Sequence, residues 1–143
     1  MPGTTFLGRP GAQGAILLAV VAAAYAGTVR AGFVWDDVPL VLLNPATADL
    51  GHPGRLFLQD LWGRADGGAA SGYYRPLVLL AFALDRALFG LRPAAFHLHS
   101  LAWHLLAVWA LHRLLRGLVA PLPALVGAVL FGLHPVQSEA VTW

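Results

Sequence analysis

The chain has no cysteine, no lysine and a single methionine among its 143 residues. Without cysteine, disulfides and thiolate zinc sites are excluded, and the redox compartment is not encoded. Charge is scarce too. Asp, Glu, Lys and Arg together make up 11%, where a soluble domain carries about a quarter. Hydrophobic residues reach 58%, and mean hydropathy is +0.68. This is the balance of a membrane protein, and the length allows about three spans plus one sizeable loop.

All nine basic residues are Arg. With abundant Ala, Gly, Leu and Pro, that usage points to a GC-rich bacterial genome. The arginines form no tract interleaved with aromatics, so nucleic acid is not an expected partner. The net charge of +2 decides little, because in a membrane chain the position of each Arg matters more than the sum. No internal repeat or low-complexity tract is present.

The apolar stretches divide the chain. Residues 1–31 hold an N-terminal segment and a first transmembrane helix, since 12–29 carry no charge and are long enough to span. A cleaved signal peptide would also show Arg9, an apolar run and Ala24-Tyr25-Ala26-Gly27. The run is longer than a usual signal core, which favours an uncleaved anchor. Residues 32–93 read as an outer loop with juxtamembrane helices. Within it, Pro53 to Trp62 is amphipathic and suits a membrane surface. Residues 76–91 are apolar but short, and Asp85-Arg86 interrupts them. Residues 94–116 form a second transmembrane helix. Residues 121–143 form a third and the start of the next outer segment.

With 76–91 in the interface, Arg113 and Arg116 end in the cytoplasm, as the positive-inside rule prefers. The active side then faces the periplasm or exterior. Asp36, Asp37, Arg75, His97, His134 and Glu139 gather there. Arg30, Arg55, Arg64 and Arg75 in the loop pull the other way.

Several motifs carry possible chemistry. Phe33-Val34-Trp35-Asp36-Asp37 puts two carboxylates at the exit of the first apolar run. Acids there are costly, so they suggest function by default. Asp36 and Asp37 suit a catalytic base or, with their hard oxygens, a Mg²⁺ or Mn²⁺ site. A solvated turn before Pro39 is the plainer alternative. Tyr73-Tyr74-Arg75-Pro76 offers a phosphate clamp, because the Arg fork matches phosphate oxygens. An interfacial aromatic belt with a snorkelling Arg reads equally well. His97, Ser100 and His104 share one helix face at i, i+3, i+7 spacing. His97 sits near the outer interface. His104, deeper, suits a helix–helix hydrogen bond. His99 and His112 fall on other faces with no assigned role. His134-Pro135-Val136-Gln137-Ser138-Glu139 either ends an apolar helix or sets His134 and Glu139 at the rim of a site.

The ordered series is more specific than any one motif. It runs from Phe33–Asp37 through Asn44-Pro45, Tyr73–Leu77, Leu88-Phe89-Gly90-Leu91, Phe96-His97-Leu98 and His104. It closes on Leu130–Val136 with Glu139, Val141 and Trp143. This series resembles the start of the transmembrane and tetratricopeptide-repeat O-mannosyltransferases and their bacterial relatives, which are GT-C membrane glycosyltransferases. The resemblance covers about residue 33 to the end. It implies an all-α, multispanning membrane protein: a GT-C-like N-terminal transmembrane module with a helix-bearing outer loop. It implies transfer of mannose or another hexose from a polyprenyl-phosphate-linked donor to a protein Ser/Thr hydroxyl or a glycan, beside membrane lipid. Asp36 or Asp37 maps onto the family's acidic motif and Arg75 onto its Tyr-Arg-Pro motif, with Tyr74, His97, His134 and Glu139 as substrate-binding candidates. Ser100 departs from the family's usual Asn. Family members have roughly ten or more spans and commonly tetratricopeptide repeats after them, so the chain reads as an N-terminal fragment, inactive alone. Two other classes stay open: a non-catalytic membrane anchor for a tetratricopeptide-repeat scaffold, in which the acidic pair is dispensable, and a transporter or channel piece using intramembrane histidines.

Overall fold

The computed structural model describes residues 10–62 and 72–142. Among them there is no strand. The α-helices are α1 (Pro10–Tyr25), α2 (Pro76–Phe89), α3 (Pro93–Leu118), α4 (Pro121–Leu133) and α5 (Gln137–Thr142). All but α5 begin on a proline. Its fixed φ suits the first helical position, where its missing N–H would have no partner in any case. Arg64 and the rest of residues 63–71 lie outside the described residues, as does Trp143.

The chain forms two compact units. The first comprises α1, α3 from His97 onward, α4 and α5. Ala- and Leu-rich sequence favours helix in α1, and a 3-10 turn over Ala26–Arg30 extends its apolar stretch to 20 residues. Gln13, Leu17, Val21 and Tyr25 recur every four residues and are buried, so they make one face. α4 offers the small residues Ala124, Ala128 and Gly132 at the same spacing, and α1 packs against it. A Cβ on Gly132 would stand 2.8 Å from Val21 Cγ2 and 3.1 Å from Val108 Cγ2. Glycine is what lets these helices approach so closely. Leu101 and Val108 of α3 and Val141 of α5 complete the core.

Polar contacts set the register of this unit. Arg116 donates to Gln13 Oε1 at 2.6 Å, while the His104 ring meets the edge of Tyr25 at 5.4 Å. Twelve residues forward along α1 (25 − 13) match twelve back along α3 (116 − 104), so the two helices run antiparallel. The outward faces are apolar: Ile16, Val20, Trp103, Leu106, Trp109, Leu122, Val126 and Leu130 are all exposed. Water does not tolerate so much apolar surface on a monomer, and hydrocarbon does. Among the described residues two helical stretches are long and apolar enough to cross a membrane, Gly11–Arg30 and Pro93–Leu118. The chain is an all-α membrane protein. At 13 residues α4 is about 20 Å long, against a hydrocarbon core of about 30 Å.

The second unit, residues 30–96, is built on α2. Leu79 and Ala83, four apart, pack on Leu56 and Leu61 from the amphipathic Pro53–Trp62 piece, which forms a 3-10 helix over Pro53–Leu58. That piece thus gives its apolar side to α2. One turn further on, Arg86 NH1 donates to the Val41 carbonyl at 3.0 Å and to Thr47 Oγ1 at 3.2 Å. The charge that interrupts segment 76–91 is therefore a tether for the loop. α2 ends at Gly90, whose φ of 67° suits glycine and whose N–H closes on the Arg86 carbonyl at 2.9 Å.

Candidate functional site

The acidic pair sits on a tight turn. Trp35 adopts φ 45°, a left-handed backbone that a bulky residue rarely takes, and its side chain is 80% exposed. Across the turn, the Asp37 N–H donates to the Val34 carbonyl at 3.0 Å, and the Val34 N–H donates to Asp37 Oδ2 at 3.0 Å. Asp37 is 8% exposed. Its carboxylate therefore closes the turn. Asp36 is half-buried, and its carboxylate makes no hydrogen bond or ion pair among the described residues. The two adjacent acids differ in what they have left to offer a substrate.

The chain then enters a π-helical turn, Val38–Leu42, with the Leu43 N–H reaching the Val38 carbonyl at 2.9 Å. Such turns are rare and often accompany functional sites. Arg86 and Thr47 hold its end: Thr47 Oγ1 donates to the Asn44 carbonyl at 2.9 Å and lies 3.2 Å from that of Val41. The spacing of the sequence gives no sign of this tether, since Asp85-Arg86 reads there only as a break in an apolar run.

Arg75 is exposed and stands as the residue before α2. Its guanidinium lies over the Tyr73 ring, 5.8 Å from the centroid, which orients the charge without neutralising it. Tyr74 Oη donates to the Phe57 carbonyl at 2.9 Å and so fixes the entry to α2. Tyr74 is a structural brace as well as a candidate contact.

The remaining candidates belong to the other unit. His97 is 2% exposed, and its Nε2 has no hydrogen-bond partner among the described residues. His104 is the helix–helix contact: its Nε2 lies 3.0 Å from the Gly132 carbonyl, with the ring stacked on Phe131. His112 requires a correction. Assigned to another face from the sequence, it is buried with Leu101, His104 and Val108, because His104, Val108 and His112 follow one another at four-residue spacing and so share one stripe of α3. His99 pairs with Trp103, whose Nε1 donates to it at 2.6 Å. His134 caps α4, and its Nδ1 accepts from the Val136 N–H at 3.2 Å. Glu139 is exposed in the first turn of α5, where its charge complements the helix dipole. Asp36, Asp37, Tyr74 and Arg75 thus share one unit, and His97, His134 and Glu139 the other.

Among the described residues no group of three His, Cys, Asp or Glu side chains is placed to hold a metal ion. One Asp37 oxygen is already on a backbone N–H. Asp36 keeps both carboxylate oxygens for a cation, whose remaining positions substrate phosphate and water commonly fill.

No protein-family model matches the chain, and no solved structure matches it. Curated proteins do. Protein O-mannosyl-transferase TMTC3 of Mus musculus is 35% identical over 132 residues, 89% of this chain and 14% of that protein. Protein O-mannosyl-transferase Tmtc2 of Drosophila melanogaster is 38% identical over 122 residues, 82% of this chain and 13% of that protein. Protein O-mannosyl-transferase TMTC1 of Homo sapiens is 33% identical over 142 residues, 92% of this chain and 15% of that protein. The chain spans only about a seventh of the length of these relatives. Over most of its own length it is therefore related to the TMTC protein O-mannosyl-transferases, one segment of which it matches.

Proposed function

We propose that the full protein is a glycosyltransferase that moves mannose or a similar hexose from a polyprenyl-phosphate carrier to a Ser or Thr hydroxyl of a protein. The observation that carries this reading is the unpaired Asp36 carboxylate on a turn that Asp37 has already closed. The names of the relatives supply the reaction class. A base must reach the hydroxyl proton with its own oxygens uncommitted, and Asp36 meets that condition.

In this mechanism the acceptor oxygen attacks the anomeric carbon of the sugar. Its proton goes to Asp36. The bond from the anomeric carbon to the phosphate oxygen breaks, and the electron pair leaves with the lipid phosphate. Arg75, charged, exposed and braced by Tyr73, balances the charge that develops there. A single displacement of this kind inverts the anomeric centre. A Mg²⁺ or Mn²⁺ ion held at Asp36 or Asp37 would share the balancing of phosphate charge with Arg75. The acidic turn faces the outside of a bacterial inner membrane, where the carrier headgroup and the acceptor both have access.

The test uses the full-length enzyme with labelled polyprenyl-phosphate-mannose as the varied substrate. Arg75→Lys keeps the charge but loses the two-pronged guanidinium, so a partial loss is expected. Arg75→Ala is expected to lose more, chiefly in kcat at saturating donor if the phosphate is the leaving group. If Arg75→Ala leaves both parameters unchanged in an inserted enzyme, Arg75 is only an interfacial anchor and the donor assignment loses its support.

A further inference from the structure

The backbone around Trp35 is pinned on both sides. The Val34 N–H donates to Asp37 Oδ2 at 3.0 Å. The N–H groups of Asp37, Val38 and Leu40 donate to the carbonyls of Val34, Trp35 and Asp36 at 3.0, 3.2 and 2.9 Å. These bonds hold Trp35 at its φ of 45°.

Neither the backbone nor the core accounts for a tryptophan at this position. A left-handed backbone favours glycine, and a bulky side chain there is strained. The chain has 16 glycines, one of them three residues earlier at Gly32, yet places its largest kind of side chain here. That side chain is 80% exposed, so burial does not require it. Residues held in such strain cluster at active sites and ligand clamps. The turn thus presents a broad flat ring outward from a fixed backbone, directly before Asp36.

The neighbour indicates what the ring receives. Asp36 is half-buried, and its carboxylate makes no hydrogen bond or ion pair among the described residues. Adjacent Cα atoms lie about 3.8 Å apart, so a ligand laid on the indole is also close to that carboxylate. A ligand for both needs an apolar face and a hydroxyl-bearing edge. A pyranose ring has them: its axial C–H bonds gather on one face, and its hydroxyls surround the rim. The negative face of the indole attracts polarised C–H groups, and the acid accepts from hydroxyls. Lipid would also cover an indole. A tryptophan that only anchors in the membrane interface does so on relaxed backbone, and gains nothing from two carboxylates beside it.

We infer that the Trp35 indole is the platform on which the hexose of the carrier-linked donor stacks. That the hexose is the donor's rests on the function proposed above; the stacking of a sugar does not. Trp35 is a binding and positioning residue, and the proton passes to Asp36.

The test is equilibrium binding to the full-length protein in lipid nanodiscs, without acceptor. The two probes are polyprenyl-phosphate-mannose and bare polyprenyl phosphate, and the ratio of their affinities isolates the sugar. Trp35→Leu keeps an apolar side chain for lipid and removes the aromatic face. It is expected to weaken the mannosylated carrier about five-fold and to leave the bare carrier unchanged. Trp35→Phe keeps an aromatic face and is expected to stay within about twofold of the unsubstituted protein. Trp35→Gly suits the left-handed backbone, so the same loss is expected with no fall in the unfolding midpoint. Unchanged affinity for the mannosylated carrier in Trp35→Leu overturns the assignment. Equal weakening of both carriers overturns it in favour of a membrane anchor. A large fall in the midpoint of Trp35→Gly overturns it in favour of a packing residue. Because binding is read without acceptor, a protein that shows the sugar-dependent loss and transfers no mannose contradicts the transferase reading and leaves this one standing. Transfer by a protein whose binding ignores Trp35→Leu does the reverse.

Discussion

Trp35 and Asp37 illustrate how much one residue can fix. Among the described residues Trp35 is the only non-glycine with positive φ, and the reciprocal bonds between Val34 and Asp37 hold it there. A hydrogen bond to a charged acceptor is worth about 1.5–3 kcal/mol net. Asp37→Ala leaves the Val34 N–H without that acceptor. It is expected to lower stability by about 1–3 kcal/mol, while Asp36→Ala, which breaks no side-chain hydrogen bond among the described residues, costs far less. Thermal unfolding of the detergent-solubilised protein separates the two, and equal losses would sink the division of roles. The Asp-Asp pair is visible in the sequence. Which acid is engaged is not, because that depends on the backbone angle of Trp35. His134 makes the same point: its position at a helix end is legible, but its bond to the Val136 N–H depends on the turn formed after it.

At the scale of elements, the punctuation reads well and the packing reads poorly. Pro76, Pro93 and Pro121 announce the starts of α2, α3 and α4, and apolar runs set their extents within a few residues. The π turn at Val38–Leu42 has no sequence signature, since its Val41 carbonyl is held by Arg86 from 45 residues away and by Thr47 from 6. The small-residue row of α4 gains meaning only with its partners in place. Gly132→Ala would drive a methyl group to 2.8 Å from Val21, a β-branched side chain with little room to turn. Overpacking of this kind costs about 1–3 kcal/mol, so a lower unfolding midpoint is expected. An unchanged midpoint would show that α1 and α4 do not pack as tightly as the distances state.

For the whole molecule, the sequence makes membrane character plain through its low charge and long apolar runs, because hydrocarbon selects composition directly. It is less informative about how many segments cross. The stretch after Pro121 breaks at His134-Pro135 into α4 and α5, where the polar run already marks a helix end, but hydropathy does not register that the apolar helix is only 13 residues long. The proposed orientation is open to a clean experiment, since there is no native cysteine to remove. Single cysteines at Asp49 and Ser138 are expected to react with an impermeant thiol reagent from outside, and one at Leu115 to be protected. Labelling at Leu115 with protection at Ser138 would reverse the arrangement. The central claim is that Asp36 is the base for sugar transfer, and the most direct measurement is the turnover of the full-length enzyme carrying Asp36→Asn. Asn keeps the shape and loses the basicity. The account predicts a loss of about 100-fold or more with normal membrane insertion, while Asp37→Asn, which keeps an oxygen for the Val34 N–H, retains measurable transfer. Near-normal turnover in Asp36→Asn would contradict the account and leave the segment as a membrane anchor.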